Sequence, residues 1–203
     1  ALLSALSATV ERAEAARGVQ YGIQDDAWLE FGPGKLRSRI ATLDRLGLDA
    51  VRVTLKWSQH EPRSGRYRWR RSDRLLRAIR ARGLRPIVTI WGTPGWANGR
   101  QTANVAPRDP AHFERFVTRV AQRYRWVNSW VMWNEPNRPV WLKPASAKTY
   151  VSQILNPGYR AIKKVNRRAQ VAGGVTGPRA EGGGDPQSDL LAAAGRPPHW
   201  SAG

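Results

Sequence analysis

The chain has 203 residues, of which 41% are hydrophobic, and this is enough for one globular domain with its own core. It contains no cysteine, which excludes a disulfide scaffold, thiol catalysis and cysteine-based metal sites. Its 34 Lys and Arg against 15 Asp and Glu give a formal net charge of +19. The basic residues are spread along the whole chain without a basic arm or tail, so nucleic-acid binding is a minor alternative.

The first eighteen residues form a segment of their own. An apolar run, "ALLSALSATV", precedes "ERAEAARG", in which Ala13-Glu14-Ala15 satisfies the small-x-small pattern of signal-peptide cleavage. The run is too short to cross a bilayer. We therefore predict a signal-peptide remnant or N-terminal extension over residues 1–18, a folded domain over residues 19–203, and a secreted protein without a membrane span. An amphipathic first helix is the alternative.

From residue 19 onwards, short apolar runs alternate with helical patterns. The runs are rich in Val, Ile and Trp, and the helical segments carry apolar residues at spacings of three and four. The predicted strands are "VQYGI", "DAVRVTLKW", "RPIVTIWG", "NSWVMWNE" and "QVAGGVTG". The predicted helices are "KLRSRIATLDRLGL", "SDRLLRAIRARGL", "DPAHFERFVTRVAQRY", "SAKTYVSQILNPGYRAIKKVN" and "SDLLAAAG". Gly47 and Gly83 are expected to end helices in a left-handed conformation, and Asn156-Pro157-Gly158 to break or kink the fourth helix.

Strands that alternate with helices fit two architectures, an open doubly wound sheet and a closed barrel. The first strand runs into "YGIQDDAWLEFGPG", which lacks the glycine-rich phosphate turn of a dinucleotide-binding sheet. Polar and aromatic side chains follow the strands instead, as the C-terminal face of a barrel requires. The sequence therefore predicts an α/β fold, a (β/α)8 TIM barrel. Only five βα units are recognisable, so we expect the barrel to be truncated after about the fifth.

The segment "WVMWNEPN" places a carboxyl group directly after a hydrophobic strand. A carboxyl group in that position is partly removed from water, which favours the protonated form that can donate a proton to a leaving oxygen. Glu135 is the residue so placed, and Asn134 beside it can hydrogen-bond a sugar hydroxyl. Alternation on the second strand sends Arg52 to the inner face of the barrel, where a guanidinium can orient a carboxylate.

Three segments carry a family resemblance: "WNEPN" at the fourth strand end, "LGLDAVRVTLKWSQHEP" around the second strand and "PIVTIWGTPGWANG" around the third. From about residue 19 to about residue 178 the chain resembles the retaining glycoside hydrolases of the (β/α)8 clan, especially family 5 cellulases and family 39 xylosidases. The resemblance implies hydrolysis of a β-linked oligo- or polysaccharide by double displacement, with no metal or organic cofactor. It makes Glu135 the acid/base, Asn134 the contact to the sugar 2-hydroxyl, and Arg52 the support beneath the nucleophile. Further candidate substrate contacts are Trp57, Trp91, Trp96 and Asn137.

Two features depart from the family pattern. Trp91 stands about where many family 5 members have a histidine, and the nucleophile of the family is a glutamate on strand seven, which is expected beyond residue 203. The other carboxylates near the predicted mouth are Asp25, Asp26, Glu61, Glu181 and Asp185. Two alternative functions stay open at this point, a non-catalytic carbohydrate-binding or cell-surface protein and a basic nucleic-acid binder.

Overall fold

Five parallel strands form a single sheet in a computed structural model that describes residues 19–178. The strands are β1 (Gly22–Ile23), β2 (Ala50–Lys56), β3 (Arg85–Trp91), β4 (Ser129–Met132) and β5 (Gln170–Ala172). Each strand pairs in parallel with the next one along the chain, in the order β1-β2-β3-β4-β5. A sheet that grows in chain order is that of a (β/α)8 barrel, whereas a doubly wound sheet reverses its order. The five predicted strands are all confirmed.

Helices connect the strands. They are α1 (Asp26–Phe31), α2 (Leu36–Arg45), α3 (Trp57–His60), α4 (Arg70–Arg80), α5 (Gly95–Asn98), α6 (Pro110–Arg123), α7 (Ala147–Tyr150) and α8 (Asn156–Val165). Neighbouring crossover helices pack together, α2 with α4 and α6 with α8. The predicted helix "SDLLAAAG" and the N-terminal segment lie outside the described residues. No helix within residues 19–178 has the length and apolar character that a membrane span requires.

Alternation along β2 separates a core face from an inner face. Val51, Val53 and Leu55 are buried against the helices, while Arg52 and Thr54 between them are only half-buried. The parallel register aligns these inner residues with their counterparts on β3, so that Arg52 lies beside Ile87, Thr54 beside Thr89 and Lys56 beside Trp91. Side chains from successive strands therefore converge on the inner face, as the sequence predicts for Arg52.

The predicted glycines lie just after the ends of α2 and α4, as expected, but the fourth predicted helix does not break. Gly47 and Gly83 have φ values of 72° and 73°, in the left-handed region that glycine adopts without strain. Between α7 and α8 a π-helical turn, Val151–Leu155, keeps the chain helical. Pro157 has no N–H to donate and its ring crowds the carbonyl four residues earlier, and the wider π turn accommodates both effects. The predicted interruption is thus a change of helix type.

Candidate functional site

The backbone after β4 takes an unusual path that presents Glu135. Trp133 and Glu135 have φ values of 73° and 38°, which are uncommon for residues other than glycine. Asn134 forms an isolated parallel bridge with Val175, and the Glu135 N–H donates to the Val175 carbonyl at 2.6 Å. The segment after β5 therefore holds this turn in place. Strained backbone of this kind concentrates at functional sites, because the surrounding contacts must compensate for its cost.

The Glu135 carboxylate is positioned by a neighbour from its own turn. Arg138 Nη1 donates to Glu135 Oε2 at 2.9 Å, and the Glu135 side chain keeps 24% of its surface exposed. Among residues 19–178, Glu135 Oε1 has no hydrogen-bond partner. The carboxyl group is thus oriented through one oxygen, and the side chain is partly exposed. That arrangement suits a group that must exchange a proton with a ligand.

Arg52 fixes the orientation of the Asn134 amide. Its Nη2 donates to Asn134 Oδ1 at 3.1 Å, and its Nε donates to Thr89 Oγ1 at 2.8 Å. Because the amide oxygen accepts this bond, the Nδ2 group of Asn134 is left as a donor. Asn134 Nδ2 donates to no acceptor within the described part of the chain. Asn134 is therefore prepared to donate to a hydroxyl at the same strand end as Glu135.

A second carboxylate, Asp26, lies near Arg52. Asp26 accepts from the Thr54 N–H at 2.8 Å and from Thr54 Oγ1 at 2.7 Å, which places it against the inner face of β2. Burial lowers the pKa of Arg52, and the charges of Asp26 and Glu135 oppose that shift. An arginine stays protonated under such conditions. Arg52 is thus a half-buried cation within electrostatic reach of carboxylates from the ends of β1 and β4.

The contacts of Trp57 correct one predicted cleft residue. Trp57 is fully buried, stacks with Phe116 at a centroid distance of 5.5 Å, and donates from Nε1 to Glu61 Oε2 at 2.8 Å. It follows β2 directly, but its side chain belongs to the helix-facing core. No surface remains for a sugar, so the prediction that Trp57 contacts substrate is wrong.

Trp96 belongs to the same aromatic cluster. Its ring meets Trp57 edge-on at 5.7 Å and His112 at 5.1 Å, and its Nε1 donates to the Glu61 carbonyl at 2.9 Å. These partners lie between the strand ends and α6, away from Arg52 on the inner face. We therefore assign Trp96 a packing role in place of the predicted substrate contact.

Trp91 lies on the inner face, as the sequence predicts. It is half-buried, aligned with Lys56 on β2, and meets Trp141 edge-on at 5.3 Å. Trp91 and Trp133 both donate their indole N–H to the Trp141 carbonyl, at 3.2 Å and 2.8 Å. Trp91 and Trp141 are thus partly exposed beside each other, whereas Trp133 is fully buried and packs on Phe113. Partly exposed indole next to polar groups is a surface on which sugar rings stack.

Asn137 has a structural role instead of the predicted substrate contact. It is fully buried, and its amide makes two hydrogen bonds to the Gly177 backbone, Nδ2 to the carbonyl oxygen and Oδ1 from the N–H, each at 2.9 Å. Tyr150 adds a second link, because its hydroxyl donates to the Met132 carbonyl at 2.8 Å and accepts from the Gly174 N–H. Both residues join the β4 end to the segment after β5. Asn137 therefore stabilises the turn that carries Glu135.

The remaining predicted carboxylates have other roles. Asp25 caps α1 by accepting from the Trp28 N–H at 2.8 Å. Glu61 is fully buried and accepts from Trp57 and from the Gly65 N–H. Glu181 and Asp185 lie outside the described residues.

Three residues of the site, Thr89, Arg138 and Trp141, were not predicted from the sequence, whereas Asp26 was predicted only as one of several carboxylates near the mouth. Strand alternation on β3 could have found Thr89, since it shares a face with Arg52. A basic residue three positions after a carboxylate in a turn is also a readable signal for Arg138. No local sequence pattern predicts Trp141, which the long loop after β4 brings to the site.

Comparison with protein families gives one match. The profile described as cellulase (glycosyl hydrolase family 5) matches residues 13–187 of the 203. No curated protein matches the sequence.

Three solved structures that share the fold carry glycosidase names. A family 39 glycoside hydrolase from Bacteroides cellulosilyticus is 20% identical, with a TM-score of 0.61 over 76% of this chain and 31% of that one. An exo-β-1,4-mannosidase from an Opitutaceae bacterium is 19% identical, with a TM-score of 0.59 over 75% and 31%. A β-glucosidase from Thermotoga maritima is 14% identical, with a TM-score of 0.59 over 76% and 48%. At these identities the likeness shows the fold, and the chain spans less than half the length of each structure.

Proposed function

This chain belongs to the cellulase family, glycosyl hydrolase family 5, and from that premise we propose that it carries the acid/base half of the active site of a retaining β-glycoside hydrolase. One observation carries the proposal. Glu135 lies in the turn after β4 with a positive φ, has one carboxyl oxygen held by Arg138, and stands beside an Asn134 amide oriented by Arg52. A proton-exchanging group and a hydroxyl donor therefore stand together at one strand end.

The proposed first step is proton transfer to the leaving oxygen. Protonated Glu135 donates its proton to the glycosidic oxygen as the bond from that oxygen to the anomeric carbon breaks, and a carboxylate nucleophile forms the new bond on the opposite face. In the second step Glu135 removes a proton from water, whose oxygen attacks the same carbon and releases the nucleophile. Two inversions give net retention at the anomeric carbon.

Asn134 and Arg52 have supporting roles in this proposal. Asn134 Nδ2 donates to a sugar hydroxyl, a bond that can strengthen as charge develops on the ring. Arg52 is a positioning residue that keeps Asn134 Oδ1 as the acceptor and Nδ2 as the donor. Trp91, half-buried on the same inner face, offers indole surface to a sugar ring.

The nucleophile in this proposal is a carboxylate outside residues 19–178. Retention requires two carboxyl groups about 5 Å apart. Within the described range, Asp25 caps a helix and Glu61 is buried beneath Trp57. Asp26 is bound by two donors of Thr54. Secretion, suggested by the N-terminal segment, is a further part of the proposal.

The test is the stereochemistry of the product. The full-length protein is incubated with β-linked gluco- and manno-oligosaccharides, and the first anomer released is followed by NMR. We expect the β-anomer first, and at least about a hundredfold slower release from Glu135→Gln, since a general acid contributes roughly that much. Glu114→Gln is the matched control, because Glu114 pairs with Arg160 at 2.7 Å on the helices and should change nothing. Release of the α-anomer first, or glycan binding without hydrolysis, would refute the proposal.

A further inference from the structure

A groove of about 1020 Å³ lies between α2 and α4, on the helix-covered side of the sheet. We call it the α2–α4 groove. Its apolar floor includes Leu36, Ile40, Ala78 and Ala81. Of the seven cations that line the groove, Arg82 and Arg123 pair with Asp44 and Asp73. The other five, which we call the rim cations, are Lys35, Arg37, Arg70, Arg74 and Arg77. None of the side chains assigned to the catalytic site lines this groove.

The five rim cations lack direct partners. Within the described residues none of them makes an ion pair or a side-chain hydrogen bond, and all five are exposed. Asp73 is the one acidic side chain of the lining, and Arg123 binds it at 2.5 Å. That hydrogen bond lowers the pKa of Asp73. The charge of Asp73 is therefore already paired with Arg123, and the rim keeps a net positive charge.

The spacing on α4 concentrates this charge along one line. Arg70, Arg74 and Arg77 are separated by four and three residues, so they share one face of the helix. Like charges at such spacing repel and destabilise a helix. A bound anion removes that repulsion, and the planar guanidinium groups match the two oxygens of a carboxylate.

We propose that the α2–α4 groove binds a polysaccharide that carries uronic acids. The sugar carboxylates meet Arg70, Arg74 and Arg77, while the apolar faces of the sugar rings lie on the floor. A glycan is preferred to a nucleic acid because the chain belongs to a family of glycan hydrolases. The groove is separate from the inner face, so it anchors the protein to an acidic glycan matrix without occupying the catalytic site.

The test uses the full-length protein and polygalacturonate oligomers, with affinity measured by calorimetry at low and physiological salt. The triple variant Arg70→Gln, Arg74→Gln and Arg77→Gln should bind about tenfold more weakly, because three clustered charges are removed. The control triple variant Arg119→Gln, Arg125→Gln and Arg168→Gln removes three exposed charges outside the groove. It should change affinity by less than about twofold. Matching circular dichroism spectra and melting temperatures establish that both variants fold.

Two further probes separate the ligand chemistries. Fully methyl-esterified polygalacturonate keeps the sugar and loses the charge, so we expect no measurable binding to it. A single-stranded DNA oligomer of equal charge should bind more weakly than polygalacturonate. Equal losses of affinity in the two triple variants would overturn the assignment of the groove as the binding site, because the diffuse positive charge of the whole surface would then explain the binding. Tighter binding of DNA, or undiminished binding of the methyl ester, would overturn the choice of a uronic-acid glycan. These readouts are independent of hydrolysis.

Discussion

Replacing Asn137 with alanine tests the structural role that its contacts assign. The substitution deletes both hydrogen bonds between the Asn137 amide and the Gly177 backbone, and it leaves a buried N–H and carbonyl of Gly177 unsatisfied. A lost hydrogen bond costs about 1 kcal/mol, and an orphaned buried partner costs roughly 1–3 kcal/mol. We therefore expect the free energy of unfolding to fall by about 2–4 kcal/mol, well above the effect of a surface substitution.

The assay is urea unfolding of the wild type, Asn137→Ala and the control Asn128→Ala, followed by circular dichroism. Asn128 is exposed and accepts a single side-chain hydrogen bond, from Asn166 at 3.0 Å, so its substitution should cost less than about 0.5 kcal/mol. A loss below about 1 kcal/mol for Asn137→Ala, combined with weakened sugar binding, would refute the structural role and restore the substrate contact predicted from the sequence.

Trp57→Ala should destabilise the protein by about 3–5 kcal/mol, because it empties a core site; unchanged stability in urea unfolding with weaker glycan binding would return Trp57 to the cleft. Burial lowers the pKa of His60 from its ordinary 6.5. As the pH falls, the unfolded chain therefore binds the proton before the folded protein does. The free energy of unfolding should decrease below about pH 6.5, by at most about 1.4 kcal/mol per pH unit. His60→Gln should flatten this dependence in unfolding curves from pH 7 to pH 5, and an unaltered slope would contradict the assignment. The 203-residue polypeptide alone should give no turnover of aryl β-glycosides, since the nearby carboxylate of Asp26 is bound by Thr54; turnover that is lost in Asp26→Asn would place the nucleophile there.

Strand order was predictable from the alternation of strands and helices together with the residues that follow the strands. Short apolar runs between amphipathic helices predict a parallel α/β sheet, and the absence of a glycine-rich phosphate turn after the first strand favours a barrel over a nucleotide-binding sheet. Alternation on β2 likewise placed Arg52 on the inner face, where the structure has it beside Asn134. Both inferences use regular geometry, which transfers directly from sequence to structure.

The errors fall where the chain leaves regular geometry. Trp57 follows β2 directly, but α3 begins at that residue and turns the indole into the core. Asn137 sits beside Glu135 in the sequence, yet the turn after β4 directs its amide to Gly177, forty residues later. Local sequence does not determine the direction of a side chain in such turns. Contacts between distant segments decide it, and they become visible only in the folded structure.

The measurement that tests the central claim most directly is the leaving-group dependence of Glu135→Gln in the full-length protein. Glutamine keeps the shape of the side chain and removes the proton, so binding should persist while cleavage of natural β-linked glycans, whose leaving groups need protonation, is lost. Aryl glycosides with acidic phenols need little protonation and should still be cleaved in the first step. Equal loss for good and poor leaving groups, or unchanged hydrolysis of natural glycans, would contradict the assignment of Glu135 as the acid/base.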